Sequence, residues 1–184
     1  MNKTKLNISG YSTALFSTWF FIEELGILFD AGDGVSAGLL QRSRKVKHIF
    51  ISHADRDHLG GLFQFHQLNA REGYPIIYYP ESSGSFTAIK NFTQKFDPHV
   101  QGAVWKAIKA NEEIPIKGNI VLQSIRNSHI EVPLDQTKSL SFKIVEKKPK
   151  LKEAFKHLTG DQICLLYTSP SPRDQRGSRM PSSA

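Results

Sequence analysis

The chain has 184 residues, 39% of them hydrophobic, and a formal charge of +7. That length suits one domain, and the moderate charge is compatible with a polyanionic substrate without requiring one. A single cysteine, Cys164, excludes a disulfide framework and a thiolate zinc site. No basic-then-apolar leader is present, and the longest apolar stretch, Phe16 to Ile22, is broken by Ser17 and Thr18 and is too short to span a bilayer. A soluble, cytoplasmic protein with no membrane contact is expected.

In chain order, the aromatic and β-branched run Ser12 to Ile22 and the segment Ile27 to Asp30 predict an early hairpin. Val35 to Ser43 reads as a helix opened by Gly34. Val46 to Ser52 is largely apolar, as in a strand buried on both faces. Leu59 to Ala70 and Ser85 to Phe96 carry apolar residues at helical spacing, with a strand from Pro75 to Tyr79 between them. Further strands are predicted at Val104–Ile108, Ile120–Ile125 and Leu140–Val145. Strands alternating with helices indicate an α/β protein whose helices cover sheet faces.

The chemistry concentrates in Ser52-His53-Ala54-Asp55-Arg56-Asp57-His58-Leu59-Gly60-Gly61. Four potential ligands, His53, Asp55, Asp57 and His58, fall within six residues after a strand. Imidazole and carboxylate groups are the donors that hydrolytic zinc, manganese or iron sites use. Adjacent Asp57 and His58 cannot easily serve the ion held by His53 and Asp55. The spacing therefore suggests two neighbouring metals, an arrangement suited to in-line hydrolytic attack. The bland alternative is a solvated polar loop.

These residues resemble the H-x-H-x-D-H motif of the metallo-β-lactamase fold, with Asp55 in place of the second histidine. Gly26-Ile27-Leu28-Phe29-Asp30-Ala31-Gly32-Asp33-Gly34 looks like the strand and acidic-glycine turn that precede the motif in the ribonuclease Z branch, endonucleases that trim tRNA 3′ ends. Asn127-Ser128-His129 closes a strand-like run where that family places its next ligand histidine. The stretch from Ser139 through Lys152 is similar to the strand and basic segment that follow. The resemblance spans residue 5 to about residue 163. It implies a metallo-β-lactamase αββα sandwich, amino-terminal part only.

The resemblance further implies two zinc ions in the intact parent, with manganese or iron as alternatives, and places His53 and His58 on different metals. An oxygen donor at Asp55 makes the first site harder than three histidines would. Either Asp55 ligates directly, or it lies behind the ligands and that metal is weakened. Asp57 has two family roles, ligand of the second metal and proton handler for the attacking water, and thus the catalytic position. His129, alone a surface or capping residue, is by the resemblance the next ligand, and Asp30 either orients the ligand loop by hydrogen bonds or is a simple turn residue after the strand. Lys147, Lys148, Lys150 and Lys152 belong to a basic run that is either a solvated face or a phosphate-binding surface for tRNA. His48, His66, His99 and His157 take structural or surface readings.

The implied activity is metal-dependent phosphodiester cleavage of precursor tRNA at the 3′ side of the acceptor stem, by a parent that is a homodimer if the resemblance extends so far. The alternatives are another hydrolase of the fold, such as one resembling competence-type DNA-uptake proteins, and a non-catalytic nucleic-acid-binding relative. The ribonuclease Z pattern continues with a Gly-Asp-Thr segment that Thr159-Gly160-Asp161 matches poorly, so Asp161 is not taken as the bridging carboxylate. From Cys164 the sequence matches translated sequencing-library adapter blocks flanking a sample index. Residues 1–163 are therefore expected to be a truncated domain and inactive alone, and 164–184 a non-native tail, with a natural disordered tail as the alternative. Setting aside that tail's three arginines and one aspartate lowers the charge to +5.

Overall fold

The computed structural model of the chain describes residues 5–97, 101–148 and 155–167. It divides into two compact units, Met1–Lys147 and Lys148–Ala184. In the first, β1 (Ile8–Thr13), β2 (Ser17–Ile22) and β3 (Ile27–Phe29) precede α1 (Val35–Leu39) and a 3-10 helix, Leu40–Lys45. Next come β4 (His48–Phe50), α2 (Arg56–Leu59), α3 (Leu62–Asn69), β5 (Ile76–Pro80), α4 (Gly84–Phe96) and β6 (Val104–Ile108). The unit ends with β7 (Glu113–Lys117), β8 (Ile120–Arg126) and β9 (Leu140–Glu146). The second unit contains α5 (Gly160–Tyr167), and the domain boundary expected at residue 163 falls inside that helix.

Strands β1 to β6 form one sheet in sequence order. The β1–β2 and β2–β3 pairs are antiparallel, whereas β3, β4, β5 and β6 run parallel. A second, antiparallel sheet has the order β7-β8-β9. Alternation along the buried strands sends side chains to two separate cores. On one face Phe21, Leu28, Ile49 and Ile77 meet Val35, Leu39, Leu62, Phe65 and Phe86 from the helices. On the other, Ile27, Phe50, Tyr78 and Ile108 meet Ile114, Leu122 and Leu140 of the second sheet. The result is a mixed α/β architecture of helices, sheet and sheet.

Apolar contact holds these layers together. Phe21, Phe50, Phe65 and Phe86 are fully buried, and each such side chain contributes roughly 1.5–3 kcal/mol. An exposed ion pair such as Lys109–Glu81 contributes about 0–1 kcal/mol.

Several element boundaries differ from expectation. The first predicted strand is two: the chain turns at residues 14–16, and β1 pairs back on β2. The helix from Val35 ends at Leu39, where Leu40 takes a positive φ of 48° and the backbone tightens into 3-10 geometry. The predicted helix from Leu59 starts at Leu62, because the ligand segment forms its own turn, α2, ahead of it. Strand β7 went unpredicted.

Two glycines bring the segments after β3 and β4 together. A Cβ at Gly32 would lie 2.4 Å from Asp57 O, and one at Gly61 would lie 2.3 Å from Gly32 O. The approach is strapped by backbone bonds: Ala31 N donates to His58 O (2.7 Å) and Gly61 N to Ala31 O (2.8 Å).

Candidate metal centre

The centre begins where β4 ends. Ile51 N donates to Tyr78 O at 2.9 Å, and the chain then leaves the sheet as Ser52 to His58. Asp30 stands beside it at the end of β3, with a φ of 55° that few residues other than glycine adopt and aspartate tolerates. This backbone turns its carboxylate toward the ligand loop. Asp30 Oδ1 accepts from Ser52 N (2.7 Å), and the carboxylate accepts from Ser52 Oγ (3.0 Å). Asp30 Oδ2 also accepts from His58 Nδ1 at 2.9 Å.

These bonds set the tautomers of both histidines. Nδ1–H of His58 goes to Asp30, which leaves its Nε2 lone pair outward. Ser52 Oγ gives its proton to Asp30 and so accepts from His53 Nδ1 at 2.9 Å, leaving His53 Nε2 as a bare acceptor. An imidazole whose one nitrogen is hydrogen-bonded and whose other is free is the arrangement that metal ligation uses.

His53 Nε2 is buried and has no hydrogen-bond partner. It lies 3.4 Å from Asp55 Oδ2, and that same oxygen is 4.0 Å from His129 Nε2. One donor atom from each of His53, Asp55 and His129 lies within 4.8 Å of the others. Donors at about 2.1 Å from a tetrahedral zinc stand about 3.4 Å apart, so the trio fits one small cation after slight contraction. Asp55 occupies the N-cap position of α2 yet makes no side-chain capping bond. Its carboxylate instead faces the two imidazoles.

His129 arrives from the loop after β8, its backbone N donating to Asn127 Oδ1 at 3.2 Å. Its ring centroid is 4.5 Å from that of His53, and the His53 and His58 rings are 4.1 Å apart. Asp57 Oδ2 lies 3.5 Å from His58 Nε2, beside the trio. A cleft of about 760 Å³ opens on His53, His58 and His129, with Phe20, Phe29 and Phe142 along its wall.

Burial, then the neighbouring His58, holds the His53 pKa below the ordinary histidine value. The neutral ring is the form that binds metal. His58 is pushed the other way, chiefly by its hydrogen bond to Asp30.

The structure thus gathers His53, Asp55 and His129 at one point and Asp57 with His58 next to it, with Asp30 bonded behind the loop. Ser52 and Asn127, to which sequence reading assigned no role, make contacts that place the imidazoles. A hydroxyl directly before the first histidine and an amide two residues before the last were the available signals. Lys147 pairs with Glu113 on the second sheet. Lys150, Lys152 and His99 lie outside the described residues. His48 stacks beside Phe50 and Tyr78, and His66 is buried edge-on to Trp105.

A comparison with curated proteins finds no match. Among solved structures, the metallo-beta-lactamase fold protein YhfI from Bacillus subtilis has a TM-score of 0.56 at 14% identity, covering 77% of this chain and 59% of that one. The short form of human tRNase Z has a TM-score of 0.51 at 18% identity, covering 71% of this chain and 58% of that one. Zinc-bound PqqB from Methylobacterium extorquens gives 0.49 at 10%, covering 74% and 48%. The chain therefore spans about half to three-fifths of the length of these structures. Among the described residues no helix is long and apolar enough to cross a membrane. The Metallo-beta-lactamase superfamily profile matches residues 12–115, and the chain belongs to that superfamily, made up mostly of metal-dependent hydrolases.

Proposed function

We propose that this chain is part of a metal-dependent phosphodiesterase, with His53, Asp55 and His129 holding one divalent ion and Asp57 and His58 directed to a second. The observation that carries the reading is His53 Nε2: a buried nitrogen without a hydrogen-bond partner, facing Asp55 and His129. Leaving such an acceptor bare costs about 1–3 kcal/mol, which a bound cation would recover. Zinc suits the imidazoles, and the carboxylate of Asp55 admits manganese or iron. When bound, the metal supplies Lewis acidity toward an anionic ester.

The residues of the chain supply the rest. Ser52 and Asp30 hold both imidazoles in the ligating tautomer. Asp57, beside His58, would accept a proton from an attacking water. The substrate reading, a phosphodiester of the precursor tRNA type, rests on the motif's likeness to ribonuclease Z together with the chain's positive charge. It concerns the longer protein, since the site here has a three-donor group and a two-donor pair.

Zinc titration by calorimetry tests the ligand set. The 184-residue chain should bind zinc weakly, and His53→Ala and His129→Ala should each lower affinity by about tenfold or more. Affinity indifferent to both substitutions would sink the assignment. For the activity, a longer form of the protein should cleave precursor tRNA; hydrolysis of carboxylic esters alone would favour another hydrolase of the superfamily.

A further inference from the structure

The donors of the candidate centre come from two loops, and the second has no helix or strand of its own. Residues 127–139 join β8 to β9 without regular secondary structure. Loops of this length in a compact domain are uncommon and are usually functional. Apolar burial does not fix this one: Leu134, at its tip, is 90% exposed. Yet it carries His129, whose ring must meet His53.

Arg126, the last residue of β8, lies directly before the loop. Its Nη1 donates to Leu134 O (2.9 Å) and Gln136 O (2.8 Å), and its Nη2 donates to Val132 O (3.0 Å) and Pro133 O (2.9 Å). All four Nη hydrogens are thus spent on carbonyls of one short segment. A guanidinium presents its donors in a rigid planar fork, which a lysine ammonium cannot reproduce. The loop is wrapped around this fork.

Two further clasps close the circuit. The return limb is tied to the turn after β5, where Thr137 N donates to Ser82 Oγ (2.9 Å) and Ser82 N to Thr137 O (3.0 Å). At the neck, Asn127 Oδ1 accepts from His129 N and from Ser139 Oγ (2.6 Å). His129 sits on the outgoing limb between the neck and the fork. The limb has two bonds at the neck, His129 N to Asn127 Oδ1 and Ile130 N to Ser139 Oγ (3.3 Å), and beyond Ile130 the fork decides where it runs.

We infer that Arg126 is a positioning residue for the metal centre: its guanidinium folds the 127–139 loop so that the His129 ring meets His53. The inference builds on the proposed ligand set, yet its geometric content stands without metal. Conformations of a long unbraced loop are many, and a preformed ligand need not be ordered when the ion arrives.

The test uses the 184-residue chain. In the unsubstituted, metal-free protein, the Arg126 Nη hydrogens should give separate, slowly exchanging NMR resonances; a single averaged signal would overturn the inference without any substitution. Arg126→Met should keep the dispersed spectrum and the protection of β8 amides, while losing the ring contact between His53 and His129. It should also weaken zinc binding by about tenfold or more. Arg126→Lys should restore neither, because charge alone does not supply the fork. In a His129→Ala background, Arg126→Met should add nothing further to the affinity loss.

A ring contact unchanged by Arg126→Met would overturn the inference. So would full recovery by Arg126→Lys, or an equal further affinity loss in the His129→Ala background. The proposed ligand set fails separately: if His129→Ala leaves zinc affinity unchanged, the metal reading falls while the metal-free ring contact still decides the role of Arg126.

Discussion

The two loops that bring donors to the centre are built on opposite plans. Ser52–His58 leaves a short parallel strand whose three residues are all buried, and a carboxylate from the neighbouring strand holds it. Residues 127–139 leave an antiparallel strand of mixed burial, and an arginine at their own base gathers them. The first loop is braced by packing and by a charge buried behind it. The second is braced almost wholly by polar contacts. A site assembled this way has one fixed half and one half whose order depends on a few hydrogen bonds.

Substitutions that strike one side only would sharpen that contrast. The largest effect should come from Phe50→Ala, beneath the first loop. Phe50 is fully buried and stacks on Tyr78 with centroids 4.4 Å apart, so chemical denaturation should show a loss of about 3–5 kcal/mol. A loss below about 1 kcal/mol would mean that the two sheets are not packed through this ring.

Asp30→Asn should have an intermediate effect. Asparagine tolerates the left-handed backbone but gives up the charge that Ser52 and His58 share, at a cost of about 1–3 kcal/mol. The same change should lower the His58 pKa, since the bond to Asp30 is what raises it. The sign for stability follows from that direction. A histidine whose folded pKa exceeds its unfolded value stabilises the protein below about pH 6.5 and loses that contribution as pH rises through the folded pKa. Asp30→Asn should therefore cost more at pH 6 than at pH 9, read from denaturation midpoints; an equal cost at both would break the link. At the small end, Leu134→Ser at the tip of the second loop should change stability by no more than about 0.5 kcal/mol.

Legibility in the sequence followed the same division. The first loop could be read because its donors are contiguous and follow a recognisable apolar strand, so ligand type and spacing appear in one window. His129 became a candidate only through likeness to a family, as a lone histidine after a strand carries little information. Arg126 left no trace, because its partners are backbone carbonyls, which every residue has. Among the elements, β1 escaped as a separate strand because its residues are mostly exposed and run into the aromatic stretch of β2. Strand β7 was hidden by Pro115 and by its charged ends, although Ile114 and Ile116 alternate as a half-buried strand should. The ends of α1 and α3 depended on a positive φ and a four-residue turn that no periodicity encodes.

The interlocked glycines, Gly32 and Gly61, carry a consequence for how the first loop can change over time. They are 29 positions apart, yet a methyl group on either would strike backbone oxygen of the other segment, Asp57 O from Gly32 and Gly32 O from Gly61. The straps between the segments are peptide bonds to peptide bonds, indifferent to which side chains the loop displays. Position 55 can thus exchange donor for donor while the course of the chain stays put. The glycines behave as a socket and the displayed residues as interchangeable fittings. An aspartate where relatives of the motif carry histidine is a substitution that such a socket absorbs in one step, retuning the hardness of the site without rebuilding the loop.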